Sequence, residues 1–470
     1  MCFLWDGRAE NFVRSEQSKK LEHNKRKNRK DRKKRAGKAL FSTALFCLTS
    51  AFCFAAALCP AYPARGEEAI RTLTLEECLA LAEKHHPDLA GADARTEAER
   101  RRLSQAAVED RVQTSGTVSA ARSGREGKPS GSSYSAGVTA SLKVFDANRT
   151  KYAVDAQRGT LSAADSEGRR TRLQVRFGVK KAYMDLLLAG EVRGQRQESA
   201  ASFTRHLERA KGYYETGLKP KSDVTKAEVD LGNAQLALVE AEADVEVSRA
   251  ALLNAMGVDP VGSFELRSVG RTLPNAAEKN AEVLALEHRQ DYAAAKLRVD
   301  AGRAEVRSAA RGSAPSLSVR GGYSASGTEL SELRSEWNVG LSMTVPIVDG
   351  GAASARTDIA RAQARSLEAA CEALRQNILL EVRKAVLNIR NAQERIRIAG
   401  LTVAQAEENY TLAEGRYRTG VGDSLELSDA LLALTEARLS LYRARCDLQT
   451  AQFALESAAG IELTEPESVE

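Results

Sequence analysis

Histidine and cysteine, the residues that most often carry catalysis or bind metals, are few in this chain and poorly placed for either task. The five histidines lie at positions 23, 85, 86, 206 and 288. The pair His85-His86 has no companion ligands at the spacing of a metal site, and Pro87 follows it, as at the end of a helix. We therefore expect no metal site and no cofactor.

The motifs of common enzyme classes are also missing from the sequence. It contains no glycine-rich phosphate loop, no nucleophile elbow and no zinc-protease motif. Its acidic residues lie mostly among arginines and lysines, which is typical of solvated helix faces. The sequence therefore predicts a protein that is not an enzyme.

The cysteines do not indicate a disulfide framework. Four of the seven lie within the first 59 residues, and Cys78, Cys371 and Cys446 remain. An odd number of widely separated cysteines is typical of ordinary buried small residues rather than of a disulfide-stabilised fold.

The net charge of +6 is concentrated at the N-terminus. Residues 1–66 contain 15 basic and 5 acidic residues, so the remaining chain contains 54 basic and 58 acidic residues. The basic run 19–38, the uncharged apolar run 39–59 and the small residues after it have the layout of a secretory signal peptide. An N-terminal anchor helix is the alternative, because residues 39–59 are about long enough to span a bilayer. Leu58 makes a poor lipobox before Cys59, so lipidation is not favoured.

The rest of the chain repeats itself with one fixed offset of 203 residues. The matching pairs include His85/His288, Asp88/Asp291, Gly137/Gly340, Asp146/Asp349, Tyr214/Tyr417, Gly217/Gly420 and Gly257/Gly460. One register holds over the whole span without insertion or deletion. The sequence therefore predicts two structural copies, 75–260 and 278–463, joined by a linker at 261–277.

Each copy contains an alternating segment that begins with an aromatic residue. The apolar positions of the two segments are Tyr134, Ala136, Val138, Ala140, Leu142, Val144 and Trp337, Val339, Leu341, Met343, Val345. A period of two predicts β-strands with one apolar face, and a weaker alternating segment precedes each. We expect β-hairpins at 112–145 and 316–348, with strands of about ten residues, the length of a transmembrane barrel strand.

Long helices surround the hairpins. Proline is absent from 130–219 and 347–465, and helices are predicted over about 147–211 and 352–414. The last helix of each copy carries apolar residues at alternating spacings of four and three, which is typical of coiled-coil packing. These stripes are Ala227, Leu231, Ala234, Leu238, Ala241, Val245, Ser248, Leu252 and Ala430, Leu434, Ala437, Leu441, Ala444, Leu448, Ala451, Leu455.

Four strands cannot close a barrel, and an open sheet edge is not tolerated in lipid. Two chains would supply eight strands, whose interior fills with side chains, whereas three chains supply twelve strands around an open lumen. The fold class predicted is therefore mixed α+β and mostly α, with a helical barrel and four transmembrane strands per chain. The assembly predicted is a homotrimer with a twelve-stranded barrel in a membrane.

The chain from residue 67 to 470 resembles the TolC-like outer membrane efflux proteins. The resemblance lies in the paired hairpins, the strand exit at 346–351 and two Tyr-x-x-Gly turns, which begin at Tyr214 and Tyr417. It implies a passive trimeric channel of the Gram-negative outer membrane, with its helices in the periplasm. It also implies a periplasmic adaptor and an inner-membrane transporter of the ABC or RND type as partners, in efflux or type I secretion, and no nucleic acid.

The resemblance further implies roles for single residues. The turns, with Gly217 and Gly420, would form the periplasmic tip, and Asp223 and Tyr417 match residues that hold neighbouring coils together. The acidic constriction of the family falls on Glu426 and Asp429, which lie three residues apart on one helix face and would form carboxylate rings that favour cations. The tip arginine of the family falls on Gly422, a departure that puts the usual salt-bridge latch in doubt.

Two other functions stay open at this point. A periplasmic coiled-coil adaptor or scaffold would be soluble without detergent, whereas a channel would be a trimer extracted only by detergent. A nucleic-acid binder based on the basic run 19–38 would keep that run in the mature protein.

Overall fold

A computed structural model describes residues 72–125, 128–259, 264–267 and 280–461. The predicted leader at 1–66 lies outside the described residues, and so does most of the predicted linker at 261–277.

The fold is mostly helical, with one four-stranded sheet. The first half contains β1 (Thr72–Leu73), α1 (Leu75–His85), α2 (Pro87–Ala107), β2 (Gln113–Arg125), β3 (Lys128–Phe145), α3 (Arg149–Glu215) and α4 (Lys221–Met256). The second half contains β4 (Glu265–Leu266), α5 (Ala281–His288), α6 (Gln290–Ala309), β5 (Ser316–Gly327), β6 (Arg334–Thr344), α7 (Ala352–Arg418) and α8 (Ser424–Ala459).

The long helices of the two halves have matching bounds. Both α3 and α7 have 67 residues, both α4 and α8 have 36, and each pair is offset by 203 positions. At 1.5 Å per residue, α3 and α7 are each about 100 Å long. Residues 203 positions apart are called counterparts below.

Counterpart aspartates cap the two longest helices at their start. The Asp146 carboxylate accepts a hydrogen bond of 2.8 Å from the Thr150 amide, and the Asp349 carboxylate accepts one of 2.7 Å from the Ala353 amide. Amides of the first helical turn have no partner within the helix, and a carboxylate also interacts favourably with the helix dipole. Helix α3 begins at Arg149 rather than at the predicted 147, because Ala147 and Asn148 have positive φ.

The helices form a layered bundle in which α3 makes the most varied contacts. It packs against α2 and α4 of its own half and also against α6 and α8 of the second half. All sixteen residues of the two predicted heptad stripes on α4 and α8 are buried or half-buried. Alanine at alternate positions of these stripes lets the helix axes approach closely.

A buried ionic network lies where α3 meets the second half. Arg170 on α3 donates a hydrogen bond of 2.7 Å to the Ser457 carbonyl oxygen. Arg289, between α5 and α6, is 2.9 Å from the Asp291 carboxylate and also pairs with Glu381 on α7. Both arginines are less than a tenth exposed. Such charges are tolerated in an interior only when they are paired and hydrogen-bonded, so the network fixes this junction.

The four longer strands form one antiparallel sheet in the order β2-β3-β5-β6. The two hairpins therefore join through β3 and β5. The strands have 13, 18, 12 and 11 residues, so the expected length of about ten is close for β5 and β6 and too short for β3. Tyr134 lies inside β3, and the loop of the first hairpin is much shorter than predicted. Val345, predicted to be a strand residue, lies just beyond the end of β6 at Thr344.

Among the helices of the described residues, none has an apolar stretch long enough to cross a membrane.

Candidate functional site

The strand register places the two predicted apolar rows on the same face of the sheet. Val138 on β3 pairs with Tyr323 on β5, which in turn pairs with Trp337 on β6, and Leu142 connects through Val319 to Leu341 in the same way. Directly paired residues of antiparallel strands project to the same side. Tyr134, Val138, Leu142, Trp337 and Leu341 therefore share one face, as predicted from the alternation.

This apolar face is exposed in the single chain. Trp337 is 77% exposed, Leu341 68% and Val138 53%. The opposite face is polar: Ser115 and Thr139 hydroxyls are hydrogen-bonded at 2.8 Å, and Ser119 and Ser135 hydroxyls at 2.8 Å. A contiguous exposed apolar surface of this kind marks a site of interaction with a membrane or another protein.

The second candidate region is the pair of turns at the opposite ends of α3 and α7. Gly217 and Gly420 have φ of +74° and +79°, a conformation that glycine adopts without strain. The Gly217 amide donates to the Tyr214 carbonyl, and the Gly420 amide to the Tyr417 carbonyl. The glycines end the long helices in αL turns, which sequence reasoning located correctly. The helices run four residues closer to the turns than predicted, to Glu215 and Arg418.

The two turns are held together by a group of five residues, His206, Tyr213, Lys219, Tyr417 and Ser424, called the tip cluster below. The Tyr417 ring lies edge-on to His206 and Tyr213, with centroids 5.1 and 5.6 Å away. The Lys219 ammonium group donates a hydrogen bond of 2.9 Å to the Gly422 carbonyl, and the Tyr213 hydroxyl donates one of 3.3 Å to the Arg418 carbonyl. The tip cluster thus joins the first half of the chain to the second.

The counterparts Tyr214 and Tyr417 have different environments. Tyr417 is fully buried, whereas Tyr214 is 46% exposed. Burial raises the pKa of the Tyr417 hydroxyl, and the nearby negative charge of Asp223 raises it further. Asp223, in the first turn of α4, therefore lies close enough to act on Tyr417, while Tyr214 takes no part in the tip cluster.

Glu426 and Asp429 lie near the start of α8, as the sequence predicts, but their surroundings differ. The Arg416 guanidinium group on α7 is 2.8 Å from the Glu426 carboxylate, whereas Asp429 is exposed. Arg416 could not be identified from the sequence, because a partner ten residues away across a turn leaves no periodic signal. The Glu426 charge is therefore partly neutralised within the chain.

Gly422, at the position where the resemblance leads one to expect an arginine, is required by the turn. A Cβ atom there would lie 2.8 Å from the Tyr417 backbone nitrogen and 2.9 Å from the Arg416 carbonyl carbon. The Gly422 amide also donates a hydrogen bond of 2.9 Å to the Arg416 carbonyl oxygen. This turn has no room for a side chain at position 422, and the arginine that reaches Glu426 is Arg416 instead.

In the part of the chain that the structure describes, no three histidine, cysteine, aspartate or glutamate side chains are grouped so as to hold a metal ion.

Long helices in matching pairs, a small antiparallel sheet with an exposed apolar face and glycine-ended turns define a mostly helical fold built from two similar halves. A family model described as "Outer membrane efflux protein" matches residues 78–258 and 283–461. These segments cover most of the chain, so the chain belongs to the outer membrane efflux protein family. It is an outer membrane protein of the Gram-negative type.

Individual relatives support the same assignment. The chain is 29% identical to the outer membrane protein OprJ of Pseudomonas aeruginosa over 187 residues, which are 38% of this chain and 39% of OprJ. It is 23% identical to the outer membrane protein TolC of Vibrio cholerae over 63% of this chain and 69% of TolC. It is 26% identical to the cation efflux system protein CusC of Escherichia coli over 63% of this chain and 66% of CusC. The match thus spans about two fifths of OprJ and about two thirds of the other two.

Solved structures share the fold over a larger part of the chain. A crystal structure of CusC superimposes with a TM-score of 0.74 at 20% identity, covering 83% of this chain and 92% of CusC. The outer membrane protein VceC of Vibrio cholerae superimposes with a TM-score of 0.74 at 21% identity, covering 83% of this chain and 97% of VceC.

The geometry at Gly422 leads to a test of the turn. Replacing Gly422 by Ala should destabilise the protein by more than about 1 kcal/mol, because the added Cβ meets backbone atoms that cannot move without opening the turn. Thermal unfolding of the detergent-purified protein measures the effect. Gly415→Ala is the matched control, since a Cβ there has no neighbour within 4 Å and alanine favours the helix. Equal melting temperatures for Gly422→Ala and the parent would contradict the steric argument.

Proposed function

We propose that the chain is one protomer of a homotrimeric channel that carries cargo passively from the periplasm across the outer membrane. The observation that carries the proposal is that the chain exposes two complementary helix faces beneath an apolar sheet with free edges. If three copies join in a ring, the exposed helix faces become buried and the sheet edges become paired.

The first open face is on α7. Its counterpart α3 packs against helices of its own half and also against α6 and α8 of the other half. By contrast, α7 packs mainly against α5, α6 and α8, which all belong to its own half. Met184 on α3 is therefore 6% exposed, while its counterpart Leu387 on α7 is 62% exposed. An apolar side chain left in water at a position where its counterpart is buried indicates a missing neighbour.

The second open face is on α4. Leu439 on α8 is fully buried, while its counterpart Leu236 on α4 is 65% exposed. Since α3 packs against α6 and α8 within the chain, the corresponding partners of α7 would be α2 and α4 of another chain. The exposed Tyr214, whose counterpart Tyr417 is buried, fits the same arrangement.

Such a contact is heterologous, because α7 of one protomer meets α4 of the next. Heterologous contacts build closed rings when the rotation between subunits divides a full turn. The unpaired edges of β2 and β6 would then pair between neighbouring chains. Three chains supply twelve strands, which close a barrel with an open lumen and leave no strand edge in the lipid.

The apolar sheet face is then the lipid contact, and the helices extend into the periplasm for about 100 Å. The exposed apolar face favours a membrane channel over a soluble coiled-coil scaffold. The tip formed by the two turns would meet a periplasmic adaptor and an inner-membrane transporter of the ABC or RND type, which supplies the energy for efflux or type I secretion. The two repeat copies, 75–260 and 278–463, would each supply one hairpin and one coiled coil to the ring.

At the tip, three copies of Glu426 and Asp429 would form carboxylate rings that favour cations. Arg416 offsets the charge of Glu426, so the Asp429 ring would contribute more to the selectivity. Gly217 and Gly420 would hold the closed ends of the coils, with Asp223 and Tyr417 linking neighbouring coils.

A pair of cysteine substitutions tests the ring directly. A Cβ at Gly159 would lie 3.0 Å from the Ala301 Cβ within the chain, and the counterparts of these residues are Ala362 and Ala98. In a background without the native cysteines, Ala98→Cys combined with Ala362→Cys should form disulfides between chains and give covalent trimers on denaturing gels.

The control for this experiment is Gly159→Cys combined with Ala301→Cys, which should cross-link within one chain and remain monomeric on the gel. Absence of chain-to-chain cross-links at 98 and 362, with efficient cross-linking in the control, would overturn the ring.

The lipid contact is tested on both faces of the sheet. Val138→Asp and Leu341→Asp should lower the yield of outer membrane trimer severalfold, because a charge facing lipid costs on the order of 2 kcal/mol. Thr139→Asp and Asn338→Asp, on the polar face, should reduce the yield much less. Quantifying detergent-extracted trimer from isolated outer membranes measures the difference, and equal yields for both faces would count against the proposed orientation.

The charge rings are tested by single-channel recording in a salt gradient. Asp429→Ala should lower cation selectivity more than Glu426→Ala, and Arg416→Ala should raise it by freeing the Glu426 carboxylate. Unchanged reversal potentials in all three variants would exclude a role of these residues in selectivity.

A further inference from the structure

His206 occupies an unusual place for a titratable residue, at the centre of the tip cluster. It lies on α3 and is 2% exposed. Of the other histidines in the described residues, His85 and His86 are half-buried and His288 is exposed.

The imidazole ring of His206 joins three long helices. Its Nε2 atom is 3.1 Å from the hydroxyl oxygen of Ser424, the first residue of α8. Its ring packs edge-on against Tyr417 near the end of α7, with centroids 5.1 Å apart. Its Nδ1 atom is buried and has no hydrogen-bond partner among the described residues. The tip cluster therefore satisfies the neutral imidazole at Nε2 and leaves Nδ1 buried without a hydrogen bond.

A second proton on His206 would place an unpaired N–H donor and a positive charge inside this contact. A buried donor without a partner costs about 1–3 kcal/mol, and an uncompensated charge costs more. The imidazolium ion could regain hydrogen bonds with water only if α3 moved away from α7 and α8.

The charged groups that face His206 come from α3 and α4, with Tyr417 on α7 and Ser424 on α8 as uncharged neighbours. Arg209 on α3 and Lys226 on α4 disfavour a positive imidazole, whereas Asp223 and Asp230 on α4 favour it. The Asp230 carboxylate is already engaged, by Lys226 at 2.7 Å and by the Ser428 hydroxyl. Burial, reinforced by Arg209, lowers the pKa of His206 below its ordinary value.

We propose that His206 is a proton-sensitive latch, which holds α3 to α7 and α8 while neutral and releases the tip when protonated. The proposal rests on the proposed function, because it assigns the tip as the closed end of a channel. The ligand that opens the latch is the proton itself.

The counterpart of His206 is Asn409, an exposed and non-titratable residue on α7. The latch therefore lies only at the contact between the two halves of one chain. In a trimer, three such latches would alternate with three contacts between chains that carry asparagine at this position.

The direction of the pH effect follows from linkage. A histidine whose pKa is lower in the closed tip than in the open tip binds more protons when the tip is open. Its contribution to closure is complete above its ordinary pKa of about 6.5 and is lost as the pH falls below that value. The closed-to-open equilibrium constant can change by up to about tenfold per pH unit for each latch.

Single-channel recording between pH 7.5 and pH 5 tests the latch in the intact trimer. The parent protein should show an open probability that rises severalfold as the pH falls. His206→Gln keeps a polar group near Ser424 but cannot titrate, and should remove the pH response. His206→Phe fills the same space, cannot titrate and should also remove the pH response. It takes the place of His206→Gln if the glutamine variant folds poorly. His288→Asn is the control and should respond like the parent.

Hydrogen exchange of the same trimers provides a readout that does not depend on conduction. After correction for the intrinsic pH dependence of exchange, peptides covering 203–213 and 424–431 should lose protection at pH 5 in the parent and keep it in His206→Gln. If the parent shows no conductance at any pH, the proposed function fails, and the exchange data alone decide on the latch. A parent tip that stays protected at pH 5, or a His206→Gln tip that loses protection equally, would overturn the latch.

Discussion

The rest of this structure depends on a single requirement, that every backbone amide and carbonyl group near lipid must be hydrogen-bonded. A sheet of four strands has two edges on which these groups are unpaired, and hydrocarbon offers them no partner. One chain therefore cannot place its apolar sheet face in a membrane alone. The exposed apolar side chains of α7 and α4 present a related requirement, because in the proposed ring they are buried against another chain. The sheet edges and the exposed helix faces thus both favour the proposed ring of three chains.

The helix tips show how backbone conformation and charge combine to hold two halves of a chain together. Gly217 and Gly420 let the long helices end in tight turns, and the tight turn at Gly422 excludes a side chain there. An arginine, which the family resemblance leads one to expect at position 422, therefore does not fit there. The guanidinium group that reaches Glu426 comes instead from the last turn of α7, where Arg416 also lies close to the helix C-terminus, a favourable place for a positive charge.

Much of this fold could be predicted from the sequence because its signals are long and periodic. The heptad stripes on α4 and α8 identified buried residues, and the alternation around Val138 and Leu341 identified one sheet face. The pairing of β3 with β5 joins segments nearly two hundred residues apart, and no local pattern encodes it. The environment of His206 and the Arg416–Glu426 pair depend on which helices meet at the tip. Strand ends were missed for a local reason, since serine-rich segments such as that before Tyr134 carry no apolar alternation even where they pair.

The length of α3 and α7 has a mechanical consequence. Each is an uninterrupted helix of about 100 Å without an internal proline. A rotation of about 3° at the end near the sheet would displace the other end by about 5 Å over such a length. The helices can thus act as lever arms, and a shift too small to disturb the hydrogen bonds of the sheet is large enough to separate the side chains at the tip.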